Sequence, residues 1–369
     1  VIMSDVLEHI EITVDGRPIH NFMDFSMTFG AEQAVRTATI AMGGPVEEDD
    51  FPFPDMPATI TANGDLLLTG VVRDANPGHQ DSDGGVIWSA SITFVSKPVD
   101  TTESSIVHPS GEVRDKDLAE VARAIESAGV EWKSSGQLFD VPLHRVVPGR
   151  SAFREIEELA RSRGILLYDD ETGAINMAKG PAGRHAGGLE LGVNLLSADA
   201  QLTGRYRHDP IIVRGQASTG SGDGALRPEA EVANPALGRR RPKVILFEGE
   251  PTMDALKGRA EQELTRREGR SKSASCEVPG WRDRAGEFWM SNYLVHLKDP
   301  LIFLDQDMLI KGGTFSQNDG GTRARLDLVD PRAMNGEDPK GEGDSFKVDK
   351  PKAKVAAKPA STGGALEPV

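Results

Sequence analysis

The sequence predicts a mainly β chain interrupted by a small α/β insert. Three observations predict it. Short alternating apolar runs, separated by Asp-Gly and Asn-Gly turns, fill the first hundred residues. The apolar period then becomes helical between about Arg114 and Arg163, and alternation returns from about Tyr206 onward.

The first strands are expected at Ile10 to Val14, Phe25 to Phe29, Ala38 to Met42, Ala58 to Ala62, Leu66 to Val72 and Val86 to Val95, with turns at Asp15-Gly16 and Asn63-Gly64. Such runs suit a small antiparallel barrel or a sandwich. Between them, the acidic segment Glu47 to Pro54 carries two prolines that hold it extended, as a surface loop or a contact segment.

Leu118, Val121, Ala122, Ile125 and Ala128 recur at helical spacing before Gly129, and Phe153, Ile156, Leu159 and Ala160 do so before Gly164. A hairpin follows, with Ile165 to Tyr168 and Ala174 to Ala178 flanking Asp169-Asp170-Glu171-Thr172-Gly173. These elements divide the chain into a first β region (1–104), an α/β insert (105–187), a second β region with one helix (188–331) and a C-terminal tail (332–369).

In the second region, strand character at Tyr206 to Gln216 gives way to a polar loop, Ala217 to about Pro242. A helix then runs from Thr252 to Glu268, with Thr252 as its cap and Met253, Leu256, Ala260 and Leu264 on the buried stripe. Strands follow at Ala274 to Val278, Tyr293 to Leu297, Asp307 to Thr314 and Thr322 to Leu328. The tail is Lys-, Ala-, Pro- and Gly-rich with almost no large apolar side chains, so burial cannot offset an ordering cost of about 1–2 kcal/mol per residue and it is expected to be disordered.

Composition narrows the function. The 369 residues carry 42 Lys and Arg against 57 Asp and Glu, a net charge of −15 that opposes a broad grip on nucleic acid or anionic lipid. Arg239-Arg240-Arg241 is the one basic cluster, and its Pro and Gly surroundings read as a solvated loop. No apolar run is long enough for a membrane span and the N-terminus lacks signal-peptide character, so direct membrane insertion is not expected and a soluble, cytoplasmically made protein is. The single Cys276 excludes an internal disulfide framework and multi-cysteine zinc patterns, and its alternating context suits a buried core residue.

A search for catalytic, metal or cofactor-binding constellations finds none. The eight histidines show no close ligand spacing, Gly220 to Gly224 is not followed by a Gly-Lys-Ser/Thr, and no serine sits in a GxSxG elbow. Asp169 and Asp170 would be the natural acids of a cell-wall hydrolase, but as adjacent residues at a hairpin tip they read as turn carboxylates. The most specific local pattern is Gly280-Trp281, Gly286, Trp289 and Asn292 ahead of a strand. It suits a loop folded over the end of a barrel, with glycines permitting close backbone approach and indoles filling volume, and equally suits ordinary core packing.

That pattern, together with Asp307-Met308-Leu309-Ile310-Lys311, Gly321-Thr322, Leu326 to Pro331, Val213-Arg214-Gly215-Gln216 and the helix from Ala260 to Gly269, resembles the baseplate hub proteins of Mu-type contractile-tailed phages. The resemblance spans residues 5–331 in order. It implies two related β-barrel domains of tail-tube type per chain and a homotrimer whose pseudo-sixfold ring joins a sixfold tail tube, or tube-initiator protein, to a threefold spike. It also implies other baseplate proteins as partners, a place in the virion tail after assembly in the host cytoplasm, no cofactor and no stable nucleic-acid binding. An acidic lumen would let DNA slide through. A tail-associated hydrolase and the hub of a bacterial injection or secretion apparatus are the alternatives.

Overall fold

A computed structural model describes residues 7–44, 47, 50–82, 85–216, 227–247 and 252–334. The Gly220 to Gly224 stretch, parts of the acidic loop at 47–54 and the tail beyond Met334 lie outside these residues.

The first β region supplies β1 (Ile10–Val14), β2 (Arg17–Ile19), β3 (Phe22–Gly30), β4 (Thr37–Gly43), β5 (Pro57–Ala62), β6 (Asp65–Ser82) and β7 (Gly85–Ser96). After α1 (Pro98–Glu103), the insert holds β8 (Glu112–Asp117), α2 (Leu118–Ile125), β9 (Trp132–Ser134), β10 (Asp140–Arg145), α3 (Ala152–Ser162), β11 (Leu166–Asp169) and β12 (Ile175–Ala178). There follow β13 (Gly183–Glu190), β14 (Ser197–Leu202), β15 (Ile211–Arg214), β16 (Glu229–Val232), β17 (Lys243–Leu246) and α4 (Met253–Gly269). The chain ends in β18 (Lys272–Pro279), β19 (Tyr293–Asp299), β20 (Leu304–Asn318) and β21 (Gly321–Val329).

The mainly β expectation holds, but the strands form sheets and not closed barrels. Thirteen of them make one sheet whose path runs β14-β18-β21-β20-β3-β4-β7-β6-β5-β1-β2, and among the described residues no ladder joins its ends. The two β regions, separated in sequence by the insert, are fused where β20 pairs with β3.

Fusion depends on β20 changing neighbours midway. Its first part, Leu304 to Leu309, pairs with β19, and its second, Gly312 to Gln317, pairs with β3. A register shift between Ile310 and Gly312 marks the change. A Cβ on Gly312 would lie 2.5 Å from the Phe29 carbonyl oxygen, and one on Gly313 would lie 2.6 Å from that of Arg325, so only glycine lets three strands converge here. A single core spans both regions, with Phe25, Met27, Ile40 and Phe94 packed in one cluster with Trp281, Met308, Phe315 and Leu326.

The insert has its own core of Leu118, Val121, Ile125, Trp132, Ile156, Ala160, Ile175 and Met177. Its α2 opens with a reciprocal cap in which the Asp117 carboxylate accepts from the Glu120 N–H at 2.8 Å and the Glu120 carboxylate from the Asp117 N–H at 3.1 Å. Ser151 and Thr252 cap α3 and α4 as their side-chain types predict. Gly269 is not a left-handed stop for α4. It lies within the helix, where a Cβ would sit 2.2 Å from the Ala333 nitrogen, so it serves close contact with the 3-10 turn Pro331–Met334.

Eight strands went unread: β2, β8, β9, β10, β13, β14, β17 and β16, the last inside the expected polar loop. The glycine-rich 183–190 stretch is β13, parallel to β19, and 197–202 is β14, antiparallel to β18. β6 also runs ten residues past the expected Val72, to Ser82.

Candidate functional site

The loop between β18 and β19 carries the Gly-Trp pattern and sits where the two β regions and the insert meet. Gly280 and Gly286 turn it with φ of +76° and +91°. A Cβ at either would meet open space, so these glycines are required by left-handed backbone and not, as expected, by close approach.

Trp281 is fully buried. Its ring stacks on Phe315 of β20 (centroids 5.3 Å apart) and leans on Phe25 of β3 at 5.4 Å. Its Nε1–H is shared between the carbonyls of Ser316 (3.2 Å) and Arg323 (3.0 Å), which face one another across the β20–β21 ladder. One indole therefore contacts three strands from both β regions. Trp289 is buried nearby and its backbone N–H donates to the Trp281 carbonyl at 2.9 Å.

Asn292 is fully buried with φ of +62°. Its Nδ2 donates to the Gly180 carbonyl at 3.0 Å, its backbone N–H to Ile310, and its carbonyl accepts from Ala182. An asparagine here supplies both a tolerated left-handed backbone and an amide that ties the end of the insert to the second region.

Three residues that sequence reading missed complete the junction. Arg282 donates from Nε to Glu8 (2.9 Å) and from Nη1 to Asp65 (2.7 Å), and its Nη2 reaches the Ala62 carbonyl at 3.0 Å; its guanidinium lies 3.9 Å over the Phe288 ring. It thus clamps the loop to the first β region. His185 accepts the Met290 N–H at Nε2 (3.0 Å), which leaves Nδ1–H to donate to Asp283 at 3.0 Å. Burial pushes the Asp283 carboxyl upward, but hydrogen bonds from Ala186 N–H, His185, Ala285 N–H and Glu287 N–H outweigh it and hold the pKa below the usual range. For Arg282 and Asp283, charged residues between two buried tryptophans were the available signal; His185 lies outside that pattern.

The insert hairpin docks on the first β region through Asp169. Its Oδ2 accepts from Arg36 Nε (3.1 Å), Arg36 N–H (3.0 Å) and Ser96 Oγ (2.6 Å), all buried. Burial pushes the Asp169 pKa up against the pull of Arg36 and Ser96. Burial also works to raise Asp170, but Thr172, Lys133, Asn176 and the Ala174 N–H hold it down at about 2. A cavity of about 360 Å3 adjoins these acids, with Phe29, Leu67, Tyr168, Arg282 and Trp289 among its walls. Both carboxylates are engaged in holding the hairpin, and the depressed pKa of Asp170 opposes proton donation at neutral pH.

Cys276 lies in the core, where burial pushes its thiol to about 12. Among the described residues, no group of three His, Cys, Asp or Glu side chains gathers as metal ligands, and no helix is long and apolar enough to cross a membrane.

Residues 252–337, from α4 to the chain's last described turn, match the family described as Mu phage baseplate assembly protein GpP, fourth domain. The chain is 22% identical over 339 residues to the baseplate hub protein gp44 of Escherichia phage Mu, covering 87% of each. The 43 kDa tail protein of prophage MuSo2 from Shewanella oneidensis has the same fold, with a TM-score of 0.78, 24% identity, and coverage of 89% of this chain and 99% of that one. E. coli c3393, a type VI secretion component described as structurally similar to the T4 tail proteins gp27 and gp5, superposes with a TM-score of 0.53 at 10% identity, over 86% of this chain and 76% of that one. Along most of its length, in its residues 252–337 and in its sheet architecture, the chain is thus similar to the Mu-type phage baseplate hub proteins.

Proposed function

We propose that the chain is a structural hub subunit of a contractile tail baseplate, and so a component of the virion. Three copies close a ring that joins a sixfold tail tube, or its initiator, to a threefold spike and leaves a channel for DNA. The observation that supports this reading is the presence of two β regions in one chain, fused into one sheet through the β3–β20 ladder. Three such chains offer six β regions, which reconciles threefold with sixfold symmetry. The domain limits 1–104, 105–187 and 188–331 and the assignment of Gly280, Trp281, Gly286, Trp289 and Asn292 as its structural motif belong to the same reading.

The test is the mass in solution. A chain of 39.7 kDa predicts about 120 kDa for a closed ring by light scattering. A monomer at high concentration, alone and with a tube protein, would sink the reading.

Hub geometry of this kind also serves secretion machines, as the likeness to the type VI component indicates for the fold. The hub reading makes the protein mechanical and not enzymatic. Purified protein should leave peptidoglycan intact, and clearance that disappears in Asp170→Ala would establish the hydrolase instead.

A further inference from the structure

The cavity of about 360 Å3 beside Asp169 and Asp170 lies where the first β region, the insert hairpin and the Gly-Trp loop meet. Five carboxylates line it, those of Asp65, Asp169, Asp170, Glu171 and Glu287, against the guanidinium groups of Arg36 and Arg282. Three of the five are neutralised in place: Asp65 by Arg282 (2.7 Å), Asp169 by Arg36 (3.1 Å) and Asp170 by Lys133 (2.9 Å). Glu171 and Glu287 have no ion-pair partner among the described residues, and Lys133, already bonded to Asp170, attracts Glu171 only at longer range.

The rings of Phe29, Tyr168, Phe288, Trp289 and Phe315 form other parts of the wall. Trp289 is 4% exposed, and its indole Nε1–H finds no acceptor among the described residues. A buried donor left unpaired costs about 1–3 kcal/mol, and nearly all such donors are paired in folded proteins. An occupant that satisfies this cavity needs a positive charge for the two free glutamates, an apolar body for the aromatic walls and an oxygen acceptor for the indole. A lysine within a peptide supplies all three, in its ammonium, its four-carbon stem and its backbone carbonyl.

The chain carries such a segment. Residues 347–358 hold Lys347, Lys350, Lys352, Lys354 and Lys358 against a single acid, Asp349, in a chain whose net charge is −15. The route to the cavity is short. Met334, the last of the described residues, packs in one cluster with Leu166 of β11, and Tyr168 of the same strand both packs against that cluster and lines the cavity. At about 3.3 Å per extended residue, the chain from Met334 to Lys347 can span about 40 Å.

We propose that the lysine-rich segment 347–358 of the chain's own tail docks in this cavity. A lysine stem lies among the aromatic walls, its ammonium answers Glu171 and Glu287, and a peptide carbonyl accepts the Trp289 indole N–H. The tail is thereby latched across the junction of the β regions and the insert. This contact lies within one chain and does not depend on the ring.

The test is trypsin cleavage of the full chain, followed by mass spectrometry. Lys350 and Lys358 precede proline, so cleavage is read at Lys347, Lys352 and Lys354. E171Q/E287Q, or salt raised to about 0.5 M, should speed cleavage there about tenfold by removing or screening the charge pairs. Trp289→Phe, which keeps an aromatic ring and removes the donor, should speed it about threefold. An unchanged circular dichroism spectrum confirms the fold of each variant. Carbodiimide coupling of wild-type chains, mixed with nitrogen-15-labelled copies, then identifies the contact: Glu171 and Glu287 should join to lysines 347–358 of the same chain in preference to exposed acids such as Asp74 and Asp81. Equal cleavage in wild type and E171Q/E287Q, or coupling spread evenly over the surface acids, overturns the proposal. Coupling mainly between differently labelled chains overturns it in favour of capture by a second copy.

Discussion

Replacing Trp281 with alanine should destabilise the fused sheet more than any other single change in the loop. The side chain is fully buried, and an indole of that kind takes roughly 150–250 Å2 out of water, worth about 4–6 kcal/mol at 25 cal/mol/Å2 as an upper bound. Measured truncations of buried aromatics cost about 3–5 kcal/mol, because neighbours collapse only partly into the cavity. Phe25 and Phe315 would each lose a ring partner, and the Ser316 and Arg323 carbonyls would lose their shared donor. Trp281→Phe separates the two contributions: it keeps most of the ring contact and loses the N–H, for about 1–2 kcal/mol. Urea unfolding followed by far-UV circular dichroism is the assay, read as a shift of the transition that melts the main sheet, since the insert has a separate core. A cost under about 1 kcal/mol for alanine, the size of an ordinary surface change, would refute the assignment of Trp281 as the pin between β regions.

Arg282→Ala should cost about 2–3 kcal/mol, because the buried Glu8 carboxylate loses its charged donor, and Arg282→Lys should recover only part of it, since an ammonium cannot span Glu8, Asp65 and the Ala62 carbonyl together; denaturation midpoints decide. Asp170 has a folded pKa depressed to about 2, so its contribution is complete above the ordinary aspartate range and is lost as pH falls from about 4 toward 2. That contribution is on the order of 2 kcal/mol before solvent screening reduces it, and acid unfolding of Asp170→Asn should lack the corresponding slope. Gly312→Val should break the β3–β20 ladder, because even its Cβ would lie 2.5 Å from the Phe29 carbonyl oxygen; lost main-sheet signal with the insert still folded is the expected spectrum.

Element type followed from local chemistry. The helix cap at Thr252, turns at Asp15-Gly16 and Asn63-Gly64 and alternating β runs are short-range signals, and the structure honours them. The Gly-Trp loop was legible as a pattern because two tryptophans beside glycines are rare in a surface loop. Its partners were not. Arg282 meets Glu8 across 274 positions and Asp169 meets Arg36 across 133, and no local period encodes such pairs.

What the sequence by itself determined was therefore the mainly β content, the helical insert and the acidic balance, each set by composition or by periodicity within a dozen residues. Only the tertiary structure decided that the two β regions are one sheet, that β13 and β14 exist, and that the β6–β7 hairpin outruns its neighbours. Glycine-rich or polar strands such as these carry little alternation of their own; they become strands because a partner's backbone supplies hydrogen bonds, and that partner is chosen only when the chain folds.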